Sequence, residues 1–185
     1  EKVVCVRNPF SKIISMYEYY IGGGNKSLFD VVIGTFFSQI GIKKFVEKIK
    51  NKTYLDYLGD FILNNLERFK LSKNHFNIVF SNCTHNLEPM IRPQYKYIYN
   101  EDGKQLVNNI FKFETLKEDY NNFKNKTGLD KELVRVNVTE KKTGKNHFNE
   151  TTAKEIVRIY EKDFDLFSYE KKYVFKERKR YWRWH

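Results

Sequence analysis

Residues 3–20, V-V-C-V-R-N-P-F-S-K-I-I-S-M-Y-E-Y-Y, decide the fold: a short apolar strand ends in an arginine and runs straight into a helix opened by proline. Val3, Val4, Cys5 and Val6 read as a buried strand, Asn8 as an N-cap, and Pro9 as a residue of the first helical turn, where its missing N–H costs nothing. A helix that opens just past Arg7 points unpaired backbone N–H groups and the positive end of its dipole beyond the strand, and Arg7 adds a fixed guanidinium charge there. The expected guest of such a junction is a phosphate or a sulfate.

Working outward, Ser27 with Asp30 suits a capping box for a second, long helix with Leu28, Val31, Val32, Phe36 and Phe37 on one face. Gly34 and Gly41 should bend or break it before Lys43–Lys50. Tyr54–Phe69 predicts another helix, His75–Phe80 (H-F-N-I-V-F) a strand, and Ser81–Pro93 a loop. Val107–Phe113 reads as a second buried strand, with Thr115 capping a helix toward Asn125. Val134–Val138 alternates like a strand, and Thr152 with Glu155 opens the last helix. This alternation predicts an α/β fold, one domain with a parallel sheet flanked by helices, and ligands beyond the carboxyl ends of the strands. Arg7 and Glu114 both fall at such ends.

The composition sets outer bounds. A chain of 185 residues with 41% hydrophobic and 17% aromatic content is not a disordered one, and it can bury a real core. A formal charge of +11 and a pI near 9.4 predict anionic partners without choosing among nucleotide, acidic glycan, nucleic acid or an acidic membrane surface. Cys5, in a strand, and Cys83, in a loop, provide neither a disulfide framework nor a cysteine-rich zinc site, although a single bridge stays open. No apolar run approaches membrane-spanning length, and no signal-peptide pattern occupies the start.

Four blocks together resemble the carbohydrate sulfotransferases, which use 3′-phosphoadenylyl sulfate (PAPS) as sulfuryl donor. They are Arg7-Asn8-Pro9-Phe10 followed by Ser15 and Tyr17; Arg92-Pro93-Gln94; Phe111-Lys112-Phe113-Glu114-Thr115-Leu116 with Asp119; and Ile156–Tyr169, I-V-R-I-Y-E-K-D-F-D-L-F-S-Y. Each is short, but they occur in the family's order across nearly the whole chain. The resemblance implies a P-loop-like nucleotide-binding fold in which Arg7 and Ser15 hold the donor's 3′-phosphate. It also implies that the loop carrying Asn137, Thr139, Lys141, Lys142 and Lys145 brings basic groups to the nucleotide, Lys145 above all. The family's segment for the 5′-phosphosulfate, a strand, glycine loop and helix, is expected ahead of Glu1, so that the visible chain reads as N-terminally truncated. Gly22-Gly23-Gly24-Asn25-Lys26-Ser27 does not replace it, since its last glycine is not next to the lysine and it follows a helix.

Sulfuryl transfer to a hydroxyl, on a carbohydrate by this resemblance, requires an anion clamp, in-line placement and a base; it calls for no metal. Many members place a histidine three residues before the proline of the Pro-Gln pair, where this chain has Met90. His85 and Glu88, nearby in the expected loop, are the candidate bases. Glu114 suits the orienting of a neighbouring basic or backbone group better than proton transfer. Lys12 on the first helix is either a solvated lysine or an electrostatic aid.

Two other readings stay open: a non-catalytic nucleotide- or glycan-binding module of the same fold, and a nucleic-acid-binding protein driven by charge. The Lys171–His185 tail interleaves cations with aromatics, which suits either stacking on bases or packing of Tyr173, Phe175, Tyr181 and Trp184 onto the body. Six N-x-S/T patterns, at Asn25, Asn51, Asn82, Asn125, Asn137 and Asn149, do not fix a compartment in a chain so rich in asparagine. Acceptor identity, oligomeric state and localisation are not legible.

Overall fold

The computed structural model describes residues 1–134 and 147–174, and in it the opening segment forms the expected strand and helix, although of the strand expected to be buried only Val6 is. Strand β1 (Val3–Val6) leads into helix α1 (Pro9–Ile21), where Asn8 Oδ1 accepts the Phe10 N–H at 2.9 Å and Pro9 occupies the first turn. Phe10, Ile13, Met16 and Tyr20, spaced three to four apart, form the buried stripe of α1. Full burial of each such side chain is worth roughly 1.5–3 kcal/mol. They pack on α2 (Leu28–Lys50).

Ser27 caps α2 as expected, accepting the Asp30 N–H at 3.1 Å, but the Asp30 carboxylate turns to the Asn25 N–H (3.0 Å) instead of closing a capping box. Of the two glycines expected to bend α2, Gly41 does, with φ +74°. Gly34 remains helical and serves a different purpose: a Cβ there would stand 2.1 Å from the Tyr20 carbonyl oxygen, so glycine lets α1 and α2 approach. Helix α3 (Tyr54–Asn64) follows, with a 3₁₀ turn at Glu67–Phe69 completing the segment expected as one helix.

The next segment departs from expectation. His75–Phe80 is not a strand and Ser81–Pro93 is not a loop; Phe76–Ile91 is one helix, α4, entered through a turn in which Ser72 Oγ and His75 Nδ1 lie 2.8 Å apart. Val79, Cys83, Leu87 and Ile91, four residues apart, give α4 a continuous buried stripe. That period prevails over the short apolar run of H-F-N-I-V-F. Cys83 is therefore buried in a helix, while Cys5 is exposed because β1 turns Val6, not Cys5, inward; both are free thiols. Helix α4 reaches its last turn despite Pro89.

After the short helix α5 (Tyr95–Ile98), β2 (Asn109–Lys112) pairs in parallel with β1, Val3 opposite Asn109 and Val6 opposite Lys112. Helices α6 (Leu116–Thr127), α7 (Glu150–Ile159) and α8 (Glu161–Leu166) complete the described elements. Helix α7 is capped by Asn149, whose Oδ1 accepts the Thr152 N–H at 2.8 Å, rather than by Thr152 itself. Beyond Val134, the expected strand at Val134–Val138 lies outside the described residues.

The chain is thus mixed α/β but mostly helical, with a two-stranded parallel sheet among the described residues. This corrects the wider alternation of strands and helices, because one expected strand is a helix. A small apolar cluster of Val6, Ile98 and Phe167 lies apart from the main helical core and fastens the sheet to the C-terminal segment. No described helix is long and apolar enough to cross a membrane.

Candidate anion-binding site

All four sequence blocks meet at the carboxyl end of β1. The Gln94 side chain brackets the Arg7 backbone, with Oε1 accepting the Arg7 N–H and Nε2 donating to the Arg7 carbonyl, each at 2.8 Å. Glu114, at the end of β2, accepts the Asn8 N–H at 3.0 Å through one oxygen and the Tyr169 hydroxyl at 2.9 Å through the other. This is the orienting role expected of Glu114. Asp119, in the first turn of α6, accepts the Lys112 N–H at 2.8 Å and the Thr115 hydroxyl at 3.0 Å, which fixes the turn carrying Phe113 and Glu114.

Beneath lies Asp163, fully buried on α8. Its carboxylate accepts the backbone N–H groups of Gln94 (2.7 Å) and Tyr95 (2.9 Å) and faces Gln94 Nε2 at 3.5 Å. Sequence reasoning quoted Asp163 only as part of a motif and gave it no task. The available signal was a carboxylate on an otherwise apolar stripe with Ile156, Tyr160, Phe164 and Phe167, a place that demands hydrogen-bond donors.

The Arg7 guanidinium stacks on the half-exposed Phe113 ring, 4.3 Å from its centroid, while its Nε is buried and has no hydrogen-bond partner among the described residues. Burial lowers the Arg7 pKa below the usual guanidinium value, and the Glu114 charge partly opposes this. The Glu18 charge, on α1, also opposes this lowering, and no described contact joins Ser15 to Arg7. Ser15 itself is partly buried. Glu18 pairs with His147 Nε2 at 3.2 Å, a pair that no sequence signal announced.

One expectation needs correction. Of the amides at the strand–helix junction expected to stand open, three are taken: Arg7 N–H by Gln94, Asn8 N–H by Glu114 and Phe10 N–H by the Asn8 side chain.

Lys12 is not solvated. Its ammonium donates to the Arg92 carbonyl at 2.6 Å, at the end of α4, and lies 5.6 Å from the Tyr160 ring centroid. Burial lowers its pKa to about 8, with Asp163 opposing. Tyr160 donates to the neighbouring Ile91 carbonyl at 2.6 Å.

The remaining predicted residues lie elsewhere. His85 is exposed on α4, and Glu88, one turn later, holds Arg92 in a surface ion pair at 2.8 Å. No described contact joins either side chain to the Arg7 cluster. The flexible loop expected to carry them to the strand ends is a helix. Lys145, with Asn137, Thr139, Lys141 and Lys142, lies outside the described residues.

No curated protein and no solved structure matches the chain. The model of the sulfotransferase family matches residues 1–170, which takes in every block that converges on Arg7. With a match over most of its length, the chain belongs to the sulfotransferase family and has the transferase role that membership carries.

Proposed function

We propose that the protein transfers a sulfuryl group from PAPS to a hydroxyl, on a carbohydrate acceptor, and that Arg7 with Ser15 binds the donor's 3′-phosphate. One observation carries this reading: a partly desolvated guanidinium, backed by Phe113, sits where four separate sequence blocks converge. Its fork of N–H donors suits phosphate oxygens, which it meets with charge-assisted bonds. PAPS supplies the activated sulfuryl group; the chain's own residues bind, orient and accept a proton. Lys145 and its neighbouring lysines are proposed to cover the nucleotide. The parallel β1–β2 pair with its helical crossover supports placing the chain in a three-layer, P-loop-like fold.

Of the two candidate bases, Glu88 has the better support, since its partner Arg92 supplies the carbonyl held by Lys12 and lies two residues from Gln94. Glu88→Gln and His85→Ala separate the candidates, because the true base loses roughly 10²–10⁴-fold in turnover with donor affinity retained. The second reading, a non-catalytic binder of the same fold, draws on the fact that neither group contacts the Arg7 cluster. Donor binding without sulfuryl transfer to any of a panel of glycans would favour it.

The deciding experiment is calorimetric binding of 3′-phosphoadenosine 5′-phosphate to the wild type and Arg7→Ala at two salt concentrations. Loss of a charge-assisted phosphate contact predicts about 100-fold weaker binding in the variant. Binding that is indifferent to Arg7 and falls steeply with salt would mark a general polyanion binder instead.

A further inference from the structure

We infer that Gln94, locked by Asp163, is a positioning residue that sets the aim of Arg7 toward its anion and so determines discrimination for a 3′-phosphorylated nucleotide. The inference rests on the anion-site reading of Arg7 and adds a residue that never touches the ligand.

The geometry leaves the amide little choice. Arg7 presents Gln94 with both an N–H and a carbonyl, each 2.8 Å away, so the side chain must accept with one atom and donate with the other. A carboxylate in the same place would face the Arg7 carbonyl with an oxygen, and an aliphatic chain would leave both backbone groups unanswered. Asp163 then removes the remaining ambiguity. With its oxygens accepting the backbone N–H groups of Gln94 and Tyr95, it also faces the Gln94 Nε2, which favours one orientation of the amide: nitrogen toward Asp163 and the Arg7 carbonyl, oxygen toward the Arg7 N–H.

The consequence falls on Arg7. Its backbone is held at N–H and carbonyl by Gln94, and the next N–H, that of Asn8, by Glu114. Among the described residues nothing comparable holds the far end of the side chain, which rests on the exposed ring of Phe113. A long side chain with a fixed root and an adaptable tip transmits a small backbone shift into a large displacement at the guanidinium, and site geometry tolerates little of that. The Lys12 bond to the Arg92 carbonyl, two residues before Gln94, steadies the same turn from the α1 side.

The test compares calorimetric affinities for 3′-phosphoadenosine 5′-phosphate and adenosine 5′-phosphate in the wild type, Gln94→Met, Arg7→Ala and the double variant. The expected result is that Gln94→Met weakens the 3′-phosphorylated ligand about tenfold, leaves adenosine 5′-phosphate unchanged, and has no further effect once Arg7 is alanine. A merely structural Gln94 would weaken both nucleotides alike, or would act additively with Arg7→Ala, and either outcome overturns the inference. An unchanged preference in Gln94→Met does so as well. If the wild type itself does not prefer the 3′-phosphorylated nucleotide, the anion-site reading fails and takes the inference with it. Should Gln94→Met not fold, Gln94→Asn, which keeps an uncharged amide but shortens its reach to the Arg7 backbone, serves the same comparison.

Discussion

The end of β1 and the C-terminal half of α4 both carry residues that sequence reasoning put forward for chemistry, and they are built in opposite ways. At Arg7 the backbone is held by Gln94 and Glu114, both fixed from behind by Asp163 and Tyr169. On α4, His85 is exposed and Glu88, among the described residues, is tied only to Arg92, with both ends of that pair 43% exposed. A site has to be over-determined before a ligand arrives, whereas a surface ion pair of this kind contributes little. The difference separates a segment held by bonds from distant parts of the chain, which we propose as the binding site, from a surface pair held by one neighbour.

The comparison breaks most visibly at Asp163. Asp163→Ala strands the buried N–H groups of Gln94 and Tyr95 and should cost about 3 kcal/mol, measured as a lowered urea midpoint. A cost below about 1 kcal/mol would mean that the support behind Arg7 is no stronger than a surface contact.

Lys12 sharpens the contrast through pH. Its pKa is about 8 in the fold against 10.5 unfolded, so between these values the unfolded chain holds a proton that the folded one has released. Stability conferred by this group therefore rises as the pH climbs from 8 to 9.5, by about 1–2 kcal/mol relative to Lys12→Met. Parallel pH–stability curves for the two proteins would show that Lys12 titrates as a solvated lysine.

Glu114→Ala removes the acceptor for the Asn8 N–H and the Tyr169 hydroxyl, for a loss of about 1 kcal/mol by chemical denaturation; Tyr169→Phe should reproduce only part of it. His85→Ala, at the other pole, should change stability by less than about 0.5 kcal/mol, since the side chain is exposed. A larger loss in thermal unfolding would place His85 in a contact that α4 does not show.

The junction at Arg7 was legible because its signals are local: Asn8 caps, Pro9 opens the turn, and the apolar stripe of α1 begins at Phe10. Glu114 was legible from its place at the end of a readable strand. Helix α4 was not, because a short, largely apolar run such as His75–Phe80 fits a strand as well as a helix, and only the longer spacing from Val79 to Ile91 separates them. Asp163 and Lys12 were illegible for another reason. Their partners are backbone groups of remote segments, and nothing in a local window shows that a carboxylate will meet the amides of a turn 69 residues earlier.

The wide sequence separation of these partners also bears on folding. Val3 pairs with Asn109, the Arg7 and Gln94 bonds span 87 residues, and the Asn8 to Glu114 bond spans 106. Closing such loops costs entropy before any contact is gained, and parallel pairing of this range belongs to the slow part of a folding reaction. The helices between β1 and β2 can form from local contacts while the first strand still waits for its partner. The nucleotide binding proposed for Arg7 would then appear only with the last step of folding, and a refolding experiment should recover helical signal well before it recovers affinity.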